Sequence, residues 1–114
     1  MSEVVAVRTA GGAPVCERCT IADGVLARAR GLLGRRALPA GEGLWLRPAA
    51  SIHTLFMRFP IDVAFLDRDD VVVRIVEGLP PWRVAGARRA RSALELGAGE
   101  CERRGLRVGE RLLA

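Results

Sequence analysis

The sequence predicts a mainly β, β-rich α+β domain, folded as an antiparallel sandwich or partly open barrel with one or two short helices. Three observations carry this expectation: short apolar runs that alternate as strands do, turn residues that punctuate them at close spacing, and few stretches with helical periodicity. Residues 3–9 alternate and are rich in valine, Gly11-Gly12-Ala13-Pro14 breaks the run, and residues 15–21 resume it, which reads as two strands joined by a turn. Asp23 then stands as a helix N-cap. Val25, Ala29, Leu32 and Leu33 recur at helical spacing before Gly34, so a short amphipathic helix is expected over residues 24–33.

Residues 35–43, with Pro39, Gly41 and Gly43, form a loop, and Leu44-Trp45-Leu46 is a buried strand stopped by Pro48. Residues 61–66 and 71–76 are two apolar β runs separated by Asp67-Arg68-Asp69-Asp70, the pattern of a hairpin with a polar turn. Residues 78–81 force a turn. Residues 87–93 read equally as helix or edge strand, residues 94–96 as strand, residues 100–104 as a helical turn closed by Gly105, and residues 108–113 as a last strand.

The 114 residues form one expected domain, 1–114, and an apolar half is enough to bury a core without disulfides or metal. No uncharged apolar run reaches the roughly 18 residues of a membrane span, and residues 1–12 lack the apolar stretch of a secretory signal, so a cytoplasmic location is expected. All 18 basic residues are arginine, which fits codon bias in a GC-rich bacterial genome, and against 13 acidic residues they leave a net charge of +5. The arginines cluster at 28/30/35/36, 88/89/91 and 103/104/107, where a solvated face and phosphate contacts are the alternatives. Single-strand binders also need aromatic platforms, whereas Phe56, Phe59, Phe65, Trp45 and Trp82 mostly stand in apolar runs that call for burial. Nucleic acid therefore ranks third among the functional readings.

Cys16 and Cys19 form a C-x-x-C within a strand-like run, where a spacing of three sends the side chains to opposite faces unless a turn intervenes. A zinc site would need His53 and Cys101 from distant segments, so no metal, no other cofactor and no metal requirement for folding are expected. His53 is the one histidine, and with Ser51 and Asp62 it permits a hydrolase-like reading, although no nucleophile elbow accompanies it. Asp62 and Glu95 stand at the edges of apolar strands, where a charge needs a partner. Arg30 is the first expected partner of Asp62 and Arg58 the second, in a structural ion pair that includes Asp62 and Glu95.

The residues 29–35 (Ala-Arg-Gly-Leu-Leu-Gly-Arg), Gly43-Leu44-Trp45-Leu46, Pro60-Ile61-Asp62-Val63-Ala64-Phe65-Leu66-Asp67, Leu94-Glu95-Leu96 with Gly99, Gly105, and Gly109-Glu110 fall in the order of a known family. Over about residues 22–112 the chain resembles the domain of unknown function 192 family. Where many members carry an aromatic-Met-Lys-Asn-Thr run ahead of Pro-Leu-Asp, this chain has His53-Thr54-Leu55-Phe56-Met57, a His-Thr variant, so no role of the Lys-Asn pair carries over to Leu55 and Phe56. The resemblance implies a compact β-rich fold and no assigned activity.

No phosphate loop, dinucleotide glycines or full metal set is present. The leading expectation is thus a small non-catalytic ligand-binding or accessory domain, using a groove around His53, Met57, Arg58 and Asp62 for a small ligand or protein partner. An enzyme built on His53 and Asp62 is the alternative.

Overall fold

A computed structural model describes residues 3–23 and 32–114. Among the described residues nine strands and one short helix follow in order: β1 Glu3–Thr9, β2 Pro14–Ala22, β3 Glu42–Leu46, β4 Ser51–His53, β5 Ile61–Leu66, β6 Val72–Leu79, β7 Val84–Gly86, β8 Ser92–Gly97, α1 Glu100–Arg103 and β9 Leu112–Leu113. Seven strands make one sheet in the order β6-β5-β8-β3-β2-β1-β9, while β4 and β7 form a separate two-stranded ribbon. The bridge Val71 to Arg111 and the 2.8 Å bond from Val72 N–H to the Glu110 carbonyl bring the β6 and β9 edges together at one end. The sheet is therefore a curled half-barrel, as expected of a partly open barrel.

β5 and β8 are central, and all six residues of each are buried, because both faces of the sheet are covered. Ala64, Leu66, Leu94 and Leu96 point into the barrel with Trp45 and Leu112, while Ile61, Val63, Phe65 and Ala93 point to an outer core closed by Leu38, Ile52 and Met57. Gly97 lets the loop before β3 pack directly on the sheet: a Cβ there would stand 2.5 Å from the Leu38 carbonyl oxygen.

Three differences from the sequence reading follow, in the pairing of β2, in the extents of β6 and the last strand, and in the ribbon. β2 and β3 pair in parallel, Arg18 opposite Glu42 to Ala22 opposite Leu46, because residues 23–41 are long enough to return the chain to the same end. The strand β6 runs through Gly78 to Leu79, and the expected last strand shrinks to β9. The ribbon strands β4 and β7 were too short to be seen in the pattern. The helix expected over residues 24–33 falls largely outside the described residues; Leu32 and Leu33 lie in a turn.

Candidate functional site

β4 and β7 pair Ser51 with Gly86, Ile52 with Ala85 and His53 with Val84. Ile52 and Ala85 pack into the outer core, so the alternating side leaves Ser51, His53, Val84 and Gly86 on the outer face of the ribbon. At the His53 end two loops meet on one residue. Thr54 is fully buried; its hydroxyl donates to the Pro80 carbonyl at 2.7 Å and accepts from Arg83 N–H at 2.9 Å. Its backbone continues the clamp: Thr54 N–H donates to the Arg83 carbonyl at 2.8 Å, and its carbonyl accepts Trp82 N–H at 2.9 Å and Met57 N–H at 3.1 Å.

This clamp holds Phe56 and Trp82 in the left-handed region, each at φ 66°. Bulky residues avoid that region, where each costs about 1–3 kcal/mol unless its surroundings impose it. Neither ring is buried. Phe56 is 68% exposed and Trp82 55%, and the rings lie 4.6 Å apart between centroids at a tilt of 58°. The expectation that the aromatics are core residues fails for these two: each sits at a turn that the clamp fixes from below. Beside them His53 accepts Leu55 N–H on Nδ1 at 3.2 Å, which leaves Nε2 of the neutral ring to donate outward.

At the Gly86 end the ribbon meets an arginine-walled cleft. Residues 87–90 form a tight turn, Ala90 N–H bonding to the Ala87 carbonyl at 3.2 Å, and Arg88 and Arg89 stand at its tip. Arg74 reaches over from β6 to donate to the Gly86 carbonyl. Arg74, Gly86, Arg88 and Arg89 line a recess of about 780 Å³, and the neighbouring one of about 420 Å³ adds Arg68 and Arg91 with Asp67 and Asp69. Asp67 Oδ1 is occupied by its own turn, accepting Asp69 N–H at 2.8 Å and Val71 N–H at 3.0 Å. Among the described residues none of Arg58, Arg68, Arg74, Arg83, Arg88, Arg89 or Arg91 forms an ion pair, in contrast to Arg35, Arg103 and Arg104, which pair with Glu42, Glu100 and Glu17.

The residues expected to share a groove are divided by this geometry. His53 and Arg58 are exposed, and Met57 is buried in the outer core beneath them. Asp62 is fully buried and turned the other way: its Oδ1 accepts Gly78 N–H at 2.8 Å, and its Oδ2 accepts Gly99 N–H at 3.1 Å and Cys101 N–H at 3.0 Å. Three amides satisfy the carboxylate without a cation. Arg58 makes no ion pair with it, and Arg30, the first expected partner, lies outside the described residues. Asp62 and His53 do not come together for a hydrolytic triad. Glu95, the third residue of the expected ion pair, is buried in mid-strand with no hydrogen-bond partner among the described residues, and burial pushes its carboxyl up to about 8.

The family profile described as "Uncharacterized ACR, COG1430" matches residues 6–114. The chain belongs to the DUF192 family. The match reaches beyond residues 22–112 to take in the β1–β2 hairpin, and the family's ordered residues map onto β3, β5 and β8 at the centre of the sheet. Two crystal structures resemble this DUF192 chain. A protein of unknown function from Novosphingobium aromaticivorans DSM 12444 superposes with a TM-score of 0.85 at 23% identity, over 97% of this chain and 85% of that one. A candidate transcription regulator from Sinorhizobium meliloti 1021 gives 0.83 at 26% identity, over 99% and 93%. No curated protein matches the chain significantly.

The DUF192 fold also corrects the reading of the C-x-x-C. A β-bulge between the pairs Val5–Cys19 and Val7–Cys16 turns both Glu17 and Arg18 outward, so Cys16 and Cys19 share the barrel side, buried and free. Hydrogen bonding from Cys19 lowers the Cys16 thiol below its ordinary value, while the same bond and burial raise Cys19. Burial, reinforced by the Asp62 carboxylate, pushes Cys101 up to about 12. No group of three or more His, Cys, Asp and Glu side chains among the described residues is placed to hold a metal, and no described helix is long and apolar enough to cross a membrane.

Proposed function

We propose that this DUF192 domain is a non-catalytic binding module whose ligand sits on the outer face of the β4–β7 ribbon. The observation that carries the reading is the Phe56–Trp82 pair: two exposed rings in contact, both on strained backbone, held there by the buried Thr54 clamp. A core does not need this arrangement, and a surface without a ligand gains nothing from it. His53 Nε2 and the exposed Arg58 and Arg83 supply hydrogen-bond donors around the platform. The division of His53 from Asp62 favours binding over hydrolysis. The Sinorhizobium neighbour's description as a candidate transcription regulator is consistent with a domain that binds.

Fluorotryptophan labelling tests this directly, because Trp82 is exposed whereas Trp45 is buried with its Nε1–H donating to Ser92 Oγ at 2.9 Å. With oligothymidylate, a cello-oligosaccharide and an acidic peptide as probes, at least one is expected to shift the Trp82 fluorine resonance and leave that of Trp45 in place. Three probes that move neither resonance sink the proposal.

Thr54→Val checks the clamp. It removes one donor and one acceptor while keeping the side chain's shape, so we expect a loss of about 1–3 kcal/mol in unfolding free energy. The Trp82 resonance should move towards that of free indole. A Thr54→Val variant with the original Trp82 resonance contradicts the clamp.

A further inference from the structure

Resting on that reading of the ribbon face, we infer that the ligand class is single-stranded nucleic acid, its bases stacked on Phe56 and Trp82 and its phosphates held by Arg74, Arg88 and Arg89. Two features at opposite ends of one short ribbon carry the inference. One end offers π-faces; the other offers guanidinium groups without a carboxylate partner among the described residues. Such a combination of a stacking platform with a cationic track is what an unpaired strand needs, because bases freed from a duplex have faces to cover and a phosphate at every step.

The intervening surface suits a strand running between them. β7 spans three residues, so the platform and the cleft lie about 10 Å of strand apart, close enough for one short oligonucleotide to reach both. Between them lie Ser51, His53, Val84 and Gly86, an outer face free of carboxylates. The half-buried Gly86 has no side chain to stand between strand and cleft. Its carbonyl also fixes the Arg74 guanidinium, so the cationic end is ordered before the ligand arrives. Asp67 and Asp69 close the far recess and place an acidic limit on the track beyond Arg88 and Arg89. A duplex fits poorly, since its bases are stacked on each other and leave no face for the Phe56–Trp82 platform.

The chemistry is shared by DNA and RNA, so the experiment uses both. Labelled oligothymidylate and oligouridylate are titrated with the full chain by fluorescence anisotropy, alongside duplex DNA and heparin, a polyanion without bases. Binding of either single strand in preference to duplex and heparin is expected, and the tighter of the two identifies the source. Trp82→Ala should weaken it by about fivefold or more. For three phosphate contacts the logarithm of affinity should fall with the logarithm of salt at a slope of about 2, and joint replacement of Arg88 and Arg89 by alanine should cut that slope by about 1.4. Joint replacement of Arg8 and Arg18 by alanine, at exposed positions of β1 and β2, serves as the charge-matched control, and the Trp45 fluorine resonance reports that each variant is folded. Affinity that ignores Trp82→Ala, or that heparin matches, overturns the inference. If neither oligonucleotide binds while the oligosaccharide or peptide shifts Trp82, the ligand class is wrong and the binding site stands. If no probe shifts Trp82, both fail.

Discussion

Asp62→Ala is expected to lower the unfolding free energy by about 3–6 kcal/mol, because it strands three amide donors that the fold has taken out of water. Asp62 is fully buried, and its two oxygens accept Gly78, Gly99 and Cys101 N–H. Leaving a buried donor unpaired costs about 1–3 kcal/mol, and the three here share one acceptor group. Its loss disconnects three places at once: the left-handed Gly78 in β6, the left-handed Gly99 ahead of α1, and α1 itself. Asp62→Asn keeps one carbonyl oxygen and presents an NH₂ to the remaining donors, so its loss should be smaller. Urea denaturation of the two variants measures both. An alanine variant within about 0.5 kcal/mol of the parent contradicts the role assigned to the carboxylate.

The second large effect belongs to Glu95 and depends on pH. Its carboxyl stands buried in β8, opposite Leu44 and Val63, and burial raises it from 4.5 to about 8. A carboxyl with a raised folded value prefers its acid form in the fold. Its contribution to stability is therefore complete below pH 4.5 and is lost as pH rises towards 8. The loss approaches about 1.4 kcal/mol for each pH unit across that window, several kcal/mol in all. Glu95→Gln retains the shape and cannot ionise. We expect parent and variant to be similar near pH 5 and the variant to be more stable by about 3 kcal/mol or more at pH 8. Stability curves that stay parallel across this range would falsify the assignment.

How much of this was legible in the sequence depends on where each residue gets its burial. β5 and β8 are buried along their whole length because both of their faces are covered; β5 stands where the sequence places it, and β8 extends the expected 94–96 to Ser92–Gly97. Asp62 was legible as a carboxylate needing partners, but the partners are backbone amides, which carry no signature in the side-chain pattern. The ribbon was not legible, since Ser51-Ile52-His53 and Val84-Ala85-Gly86 each bury one side of three residues and give no alternation to read. Phe56 and Trp82 looked like core because apolar neighbours surround them in the chain. The available signal was the punctuation: Pro80-Pro81 before Trp82 and the unusual His53-Thr54 before Phe56 both mark turns, where a ring is as free to face solvent as the core. The shared face of Cys16 and Cys19 is hidden in the sequence for a similar reason, because one extra residue in a bulge reverses the parity on which a strand argument depends.

The pairing of β1 with β9 sets Arg8 against Leu113 and Thr9 against Leu112, and the bridge from Val71 to Arg111 draws the opposite edge of the sheet to the same segment. Synthesis on the ribosome runs from the first of these partners to the last. A nascent chain can form the β1–β2 and β5–β6 hairpins early, but both edges of the barrel stay uncovered until residues 111–113 have left the exit tunnel. Closure then joins residues about a hundred positions apart, a separation that slows folding because loop entropy must be lost before the contacts form. In the interval the exposed strand edges are open to neighbouring nascent chains, which makes the arrival of residues 111–113 the step at which this fold becomes safe from mispairing.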